Sequence, residues 1–488
     1  MTMKRLNDLL DDVRVLEIEN PNNPVVSALT YDSRTVECGS CFFAVRGTQS
    51  DGHNYIASAI ERGASVIVCE EMPTTLIDGV SYVMVEDSNI AMAHIAAAFY
   101  GHPSRELRLV GVTGTNGKTT TATLLYDMFM AMGYNTGLIS TVVYRIGQRS
   151  IHSTHTTPDS IRLNQMMREM VDEGCDYCFM EVSSHAAAQH RIEGLHFAGA
   201  LFSNLTHDHL DYHGTYKEYI RAKKSFFDGL SKNAWAVVNI DDRNGEVMLQ
   251  NCNAKHYRLS LRSMADFRTK IIEMLPDGML LHIDNQEVWV KFTGRFNAYN
   301  LTTVYAAATL LGIDKLEVLT TLSQLTPVAG RFETIIAEDR TIAIVDYAHT
   351  PDALENVLQT IEEVRRDEQR LFVVCGCGGD RDKTKRPEMA AIAVKYATTA
   401  IFTSDNPRTE SPEAILDDVV AGVGSAKNWL RITDRREAIR TAAMLAHPED
   451  IILIAGKGHE DYQIIGTEKH HFDDREEIRD AFETTHNK

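Results

Sequence analysis

The first chemistry legible in this 488-residue sequence lies in Thr113-Gly-Thr-Asn-Gly-Lys-Thr-Thr120. Gly114 and Gly117 allow backbone N–H groups to wrap phosphate oxygens, and a helix N-terminus behind them adds partial positive charge. Lys118 would neutralise β- and γ-phosphates, and the hydroxyl of Thr119 or Thr120 would reach a magnesium ion. The spacing is irregular, because Val112 stands where the usual phosphate loop has its first glycine. Further on, Glu181 lies near the end of an apolar run and opens Glu181-Val-Ser-Ser-His185, and His207-Asp-His-Leu-Asp-Tyr-His213 gathers three imidazoles and two carboxylates. That second segment is either a polar loop with helix-capping aspartates or, with Glu181, part of a cation site. Imidazole is an unusual partner for magnesium, which favours oxygen. Four more polar segments stand out: Asp346-Tyr-Ala-His-Thr-Pro351, Gly376-Cys-Gly-Gly-Asp-Arg381, Ser404-Asp-Asn-Pro-Arg408 and Gly456-Lys-Gly-His-Glu460.

These segments need elements to hold them. From Ser27 to Tyr100, short β-like runs alternate with helical patterns, which predicts a small α/β domain ending at a linker, Gly101–Arg105. The strand Leu107–Val112 opens a second unit, with helices expected through Met132, at Ser160–Glu173, Tyr216–Leu230 and Asn297–Leu311, and strands at Tyr177–Val182 and Trp235–Ile240. Strands alternating with helices predict a mostly parallel sheet. The last third is the most regular, with strands at Thr341–Asp346, Leu371–Cys375, Thr399–Thr403 and Ile451–Ala455 interleaved with helices. That is a doubly wound pattern, whose ligands sit beyond the C-terminal strand ends where the four polar segments fall. The expected architecture is α/β with three domains: a small N-terminal one (1–105), a central P-loop ATPase-like one (106–332) and a C-terminal Rossmann-like one (333–488).

Composition excludes several classes. Lys and Arg total 49 against 68 Asp and Glu, so the net charge of −19 argues against a phosphate-tracking nucleic-acid binder. No run approaches the ~18 apolar residues of a membrane span, and the N-terminus lacks the apolar core of a secretory signal. The eight cysteines, including Cys38-x2-Cys41 and Cys175-x2-Cys178, are expected to be ordinary, mostly buried thiols in a reducing cytoplasm.

Taken together, the motifs resemble the Mur ligases, the ATP-dependent amino-acid-adding enzymes of peptidoglycan assembly. The resemblance spans nearly the whole chain: Asp32-Ser-Arg34, the phosphate loop, Thr156-Thr-Pro158, EVSSH, Asp208–Gly214, Ala222-Lys223, Gly294-Arg-Phe-Asn297 with Asn300, Gly330-Arg-Phe-Glu333, DYAHTP and GKGHE. It implies cytoplasmic, monomeric cell-wall biogenesis chemistry that supports cell shape and division, on small molecules rather than on nucleic acid or membrane. ATP would phosphorylate a substrate carboxylate, and an amine would attack the acyl phosphate. It also implies magnesium held by Thr119 or Thr120, Glu181 and His209, with Lys223 carbamylated by CO2 (N6-carboxylysine) as an oxygen donor. ATP would meet Thr113–Thr120, Asn297 and Asn300 on the adenine side, and Arg331, Asp346 and His349.

Within the family, TTP, DNPR and GGDR resemble members that add the third residue to UDP-MurNAc-L-Ala-D-Glu. That substrate would meet Ser33, Thr48, Gln49 and Ser50 at the uridine, and Thr156, Thr157, Ser183, Gln189 and Arg191 at the pyrophosphate and peptide end. For the incoming amino acid, Arg408 in Asp405-Asn406-Pro407-Arg408 can grip a carboxylate with two parallel hydrogen bonds. This suits meso-diaminopimelate, with Arg381, Gly456 and Glu460 as its other contacts, over L-lysine. Folylpolyglutamate synthetases share the chemistry but not the first-domain motifs, and a P-loop ATPase switch without ligase activity would have no need of the DNPR and GKGHE loops.

Overall fold

The protein, a computed structural model, is described over residues 3–47, 50–206 and 210–486. It forms two compact units: one runs to Leu259 and takes in Ala306–Gly312, and the other comprises Ser260–Tyr305 and the chain from Ile313 onward.

The first unit holds two large sheets and a two-stranded antiparallel ribbon of Lys4–Arg5 with Val25–Val26. Strands β1 (Val15–Glu19), β2 (Ala28–Thr30), β3 (Ser40–Phe43), β4 (Val66–Cys69) and β5 (Ser81–Val85) pair in the order β1-β5-β4-β3-β2, all parallel except β1. β3, after Ser40, and β4 read as apolar runs because every residue in them is buried. Helix α1 (Ser88–Phe99) starts at Asp87, whose carboxylate accepts from the N–H groups of Asn89 and Ile90. The expected linker at Gly101–Arg105 is instead a packed corner. His102 adopts φ 53°, Pro103 and Ser104 are buried, and Ser104 Oγ accepts from His196 N–H at 3.0 Å.

Eight further strands are β6 (Arg108–Thr113), β7 (Thr136–Ile139), β8 (Val143–Ile146), β9 (Arg149–His152), β10 (Tyr177–Glu181), β11 (Gly199–Phe202), β12 (Trp235–Asn239) and β13 (Lys255–Ser260). They pair in the order β9-β8-β7-β10-β6-β11-β12-β13, parallel except for β8 and β9. Helices α2 (Lys118–Ala131), α3 (Ser160–Asp172), α4 (Ser184–Ala188) and α5 (Tyr216–Asp228) connect them. Leu163, Met166, Met167 and Met170 form the buried stripe of α3 at helical spacing. Thr215 caps α5 by accepting from Glu218 N–H, which fixes where that helix begins.

In the second unit, β14 (Phe267–Leu275), β15 (Gly278–Ile283) and β16 (Gln286–Val290) form an antiparallel meander before α6 (Arg295–Leu310). The remaining sheet contains β17 (Glu333–Ile336), β18 (Ile342–Asp346), β19 (Leu371–Cys377), β20 (Thr399–Ser404), β21 (Trp429–Arg431) and β22 (Ile451–Ala455), in the order β17-β18-β22-β19-β20-β21. All neighbours are parallel except β17 and β18. Helices α7 (Pro351–Val364), α8 (Lys385–Tyr396), α9 (Pro412–Val420), α10 (Arg435–Leu445) and α11 (Asp474–His486) cover its faces. The last strand of this sheet in sequence, β22, lies between β18 and β19, and the four polar segments lie at the C-terminal ends of β18, β19, β20 and β22; beyond it Tyr462–Ile465 and Glu468–His471 form a separate antiparallel hairpin. Among the described residues no helix is long and apolar enough to cross a membrane. All eight cysteines are free thiols; Cys38 is exposed and the other seven are buried.

Candidate functional site

The phosphate loop leaves β6 beside the strand that carries Glu181, in register with Val112. Thr113 donates its hydroxyl to Val182 O at 2.8 Å, pinning the end of β6. Gly114 and Gly117 take φ of 151° and 87°, and a Cβ at Gly114 would lie 2.0 Å from Ser203 Oγ. Thr115 Oγ1 meets the Tyr219 hydroxyl at 3.0 Å, and Asn116 N–H donates to Asn204 Oδ1 at 3.0 Å. Lys118 folds back over the loop, its Nζ donating to Gly114 O (3.0 Å) and Thr115 O (2.8 Å). Thr119 and Thr120 are buried in the first turn of α2.

Lys223, on α5, is 2% exposed and donates to the same Gly114 carbonyl at 2.7 Å, with its Nζ 4.8 Å from the centre of the Tyr219 ring. Two lysine amines thus converge on one oxygen.

Glu181 is fully buried, its Oε1 accepting from Thr141 N–H (2.7 Å) and its Oε2 from Thr141 Oγ1 (3.2 Å). With its one proton on the carboxylate, Thr141 Oγ1 accepts from the Thr156 hydroxyl at 3.0 Å, and Thr157 Oγ1 donates to Glu181 O at 2.8 Å. Ser183 N–H donates to Thr157 Oγ1 at 3.2 Å, while Arg191 Nη1 donates to Thr157 O at 2.6 Å and Arg191 Nη2 to Gln189 Oε1 at 2.6 Å. The expected peptide-side residues Thr156, Thr157, Ser183, Gln189 and Arg191 therefore form one connected group around Glu181. In the N-terminal sheet region, Ser33 opens a turn whose first carboxylate, Asp32, accepts from Arg34 N–H, and Ser50 Oγ donates to the Tyr55 hydroxyl at 3.1 Å. Thr48, Gln49 and His209 lie outside the described residues. No group of three or more His, Cys, Asp or Glu side chains gathers among the described residues. The oxygen donors at hand are instead the hydroxyls of Thr119 and Thr120 and the Glu181 carboxylate, a set whose chemistry fits magnesium with retained waters.

In the second unit, Asn297 and Asn300 are buried one turn apart on α6, Asn300 Nδ2 donating to Asn297 Oδ1 at 3.3 Å. Asp346 ends β18 with Oδ2 accepting from Phe332 N–H (2.7 Å) and Oδ1 from Ala348 N–H (2.8 Å). Burial pushes its carboxyl up to about 6, against the opposing pull of Arg331. Arg331 stacks 4.5 Å from the Tyr347 ring centre, and the His349 and His459 rings lie against the same tyrosine. Burial, then Arg331, drives His459 down to about 3, so its imidazole is neutral at physiological pH. Gly456 N–H donates to Asp346 O at 3.1 Å, joining two of the four loops.

The other two loops interlock. Gly379 N–H donates to Asn406 O (2.9 Å), Arg408 Nη1 donates to Gly379 O (2.7 Å), and a Cβ on Gly379 would fall 1.9 Å from Pro407 O. Arg408 adopts φ 52°, and nearby Glu410 bonds Arg386. Arg381 is exposed, its Nη1 3.4 Å from Asp380 O. Asn406 Nδ2 donates to Glu460 Oε2 at 2.8 Å, and the fully buried Lys457 lies 3.4 Å from Glu460 and 3.8 Å from Asp405. Burial and then Asp405 raise the Glu460 carboxyl above its ordinary value, opposed by Lys457 and Asn406.

Three family models match successive segments: the Mur ligase family catalytic domain over 25–100, the Mur ligase middle domain over 112–308, and the Mur ligase glutamate ligase domain over 330–458. The chain belongs to the Mur ligase family. Similar relatives are the UDP-N-acetylmuramoyl-L-alanyl-D-glutamate--2,6-diaminopimelate ligases of Phocaeicola vulgatus (55% identical; 98% of this chain, 99% of that one) and Bacteroides thetaiotaomicron (52%; 98% and 99%). A solved structure of a ligase bearing the same name is 32% identical, with a TM-score of 0.72 and full coverage of both chains.

Several residues near the candidate site residues of this Mur ligase are given no task of their own from the sequence. Thr141 follows β7 and bridges Glu181 to Thr156. Burial and then Asp159 raise the phenol of Tyr31, next to Asp32, above its ordinary value, against the opposing pull of Arg191. His185 stacks on Tyr212 at 4.2 Å, and Gln189 Nε2 donates to the Tyr212 hydroxyl at 2.9 Å. Lys457 was legible only as one letter of GKGHE, and only its burial against Glu460 indicates what it holds.

Proposed function

We propose that the chain joins meso-diaminopimelate to the D-Glu carboxylate of UDP-MurNAc-L-Ala-D-Glu at the expense of ATP, in cytoplasmic peptidoglycan precursor synthesis. The observation that carries this reading is the interlock of the Gly378–Arg381 and Asp405–Arg408 loops, which sets a guanidinium beside a second strand-end loop bearing another. Meso-diaminopimelate differs from L-lysine by a carboxylate at its far end, which Arg408 would clamp while Arg381 meets the other carboxylate. Glu460, oriented by Asn406 and Lys457, would take an ammonium. The tasks divide among residues 1–105 for the nucleotide sugar, 106–332 for ATP and 333–488 for the amino acid. Ser33, Thr48, Gln49 and Ser50 serve the uridine, and the group around Thr157 and Arg191 serves the pyrophosphate and peptide end.

In this reading Thr113–Thr120 cradle the phosphates, and Lys118 turns from its loop carbonyls to the anion. Asn297 and Asn300 serve the adenine, with Arg331, Asp346 and His349 as further nucleotide contacts. The γ-phosphoryl group passes to the substrate carboxylate, the free amine of diaminopimelate attacks the acyl phosphate, and the tetrahedral intermediate expels phosphate. Magnesium, held by Thr119 or Thr120, Glu181, His209 and Lys223 as its carbamate, would supply charge neutralisation between the two anions. Carbamylation (amine plus CO2 giving carbamate and a proton) replaces one of two converging ammonium groups with an oxygen donor. Eight free thiols accord with the reducing cytoplasm, and a monomer carries all the named residues.

The test is phosphate release by the purified enzyme with ATP, Mg2+ and UDP-MurNAc-L-Ala-D-Glu, offering meso-diaminopimelate or L-lysine. Release with diaminopimelate and little with lysine is expected. Equal rates would sink the role given to Arg408, and no release with either would sink the ligase reading.

A further inference from the structure

Both amino-acid-side loops turn through a non-glycine residue in the left-handed region, Asp380 at φ 53° and Arg408 at φ 52°. Such residues persist only where their surroundings hold them. Here one carboxylate supplies much of the restraint. Glu410 Oε1 accepts from Asp380 N–H at 2.7 Å and from Arg386 Nη2 at 2.9 Å, while Oε2 accepts from Arg386 Nη1 at 3.0 Å. Arg386 is fully buried at the start of α8; its Nη2 also reaches Gly378 O at 3.2 Å, and its Nη1 reaches Asp418 Oδ2 on α9 at 2.8 Å. The planar fork therefore bonds both loops and the second helix at once, in a geometry that lysine could not reproduce. With no exposed surface, Arg386 acts on a ligand only through what it holds.

We propose that Arg386 and Glu410 are a positioning pair that keeps Arg381 and Arg408 at the separation of the two carboxylates of a diamino dicarboxylic acid, and so sets the preference for that substrate over a diamino monocarboxylic one. This rests on the reading of Arg381 and Arg408 as carboxylate grips. Arg408 donates to Gly379 O, next to the Gly378 carbonyl bonded by Arg386, so movement of either loop moves the grip. A displacement near 1 Å in such a site costs on the order of a hundredfold.

Glu410→Gln is the primary variant, because its side chain is partly exposed and keeps its size; Arg386→Lys is the second. Initial rates of phosphate release are measured while diaminopimelate, ATP and the nucleotide substrate are varied in turn, with melting curves to confirm folding. Glu410→Gln is expected to raise the KM for diaminopimelate by about ten- to a hundredfold, with kcat and the KM for ATP nearly unchanged. Arg386→Lys should reproduce this rather than rescue it. Because Glu410→Gln acts in part through Arg408, its effect and that of Arg408→Met should be less than additive in the double variant. An unchanged diaminopimelate KM in folded Glu410→Gln, a parallel rise for all three substrates, or full additivity in the double variant would overturn the proposal. If Arg408→Met itself leaves that KM unchanged, the role of Arg408 falls and this inference with it; if Arg408→Met raises it and Glu410→Gln does not, only this inference falls.

Discussion

Replacing Asp474 with Asn should unfold much of the C-terminal sheet's stability. Arg435 and Asp474 are both fully buried, joined by Nε–Oδ1 and Nη2–Oδ2 hydrogen bonds of 2.7 Å each. Burial works against the Arg435 charge, but Asp474 outweighs it and leaves the guanidinium more basic than usual. The other Arg435 bond, Nη2 to Ala455 O at 3.1 Å, anchors the strand end just before Gly456. Asn in place of Asp474 removes the compensating charge and turns one acceptor into a donor facing a donor. Breaking one side of such a pair costs about 3–5 kcal/mol, whereas replacing both partners with apolar residues is often close to neutral. At about 2–4 °C per kcal/mol for a domain of 150–250 residues, the transition of the C-terminal region should fall by roughly 6–20 °C. Calorimetry with urea unfolding followed by circular dichroism measures this for Asp474→Asn and for Arg435→Met/Asp474→Leu. A loss below about 1 kcal/mol in the single variant, or a double variant as unstable as the single one, would refute the reasoning.

Lys223→Ala should lose most activity and regain part of it with added short carboxylic acids, while Lys118→Ala should not be rescued; phosphate release across an acetate-to-butyrate series checks both. Asp346, with its folded value near 6 against an ordinary 3.8, favours the folded state below pH 4 and loses that contribution as pH rises to 6, by roughly 3 kcal/mol. The stability gap between wild type and Asp346→Asn should therefore favour wild type more at pH 4.5 than at pH 7 in urea titrations, and an equal gap at both would contradict it. Gly379→Ala, whose new methyl would meet Pro407 O at 1.9 Å, should weaken diaminopimelate saturation without changing that of ATP, as measured by KM.

Much of this site was legible because its chemistry is local in sequence. The phosphate loop, EVSSH and the four strand-end segments each declare a turn and a polar task within a few residues. The Thr-Pro pair of DYAHTP also has a structural reason, since Thr350 caps α7 and Pro351 occupies its first turn. What escaped depends on partners far along the chain. Arg386 is a surface-type residue until Glu410, Asp418 and Gly378 surround it, and Thr141 matters only because β7 and β10 are neighbours. Strands β8, β9 and β14 mix polar and apolar residues and are only partly buried, so no long apolar run announces them. The supposed linker at Gly101–Arg105 has the breakers of a flexible join, but Pro103 and Ser104 have a surface to pack on. The insertion of β22 between β18 and β19 leaves no local trace.

The distribution of thiols makes the protein a ready single-label reagent. Burial raises Cys69 and Cys377 to about 11 and Cys375 to about 12, far from the thiolate that reacts with a maleimide, while Cys38 alone is exposed. One fluorophore per native chain should attach at Cys38, beside β3 and without any mutagenesis. The stoichiometry of labelling would then count unfolded molecules directly, since each of them offers all eight sulfurs at once.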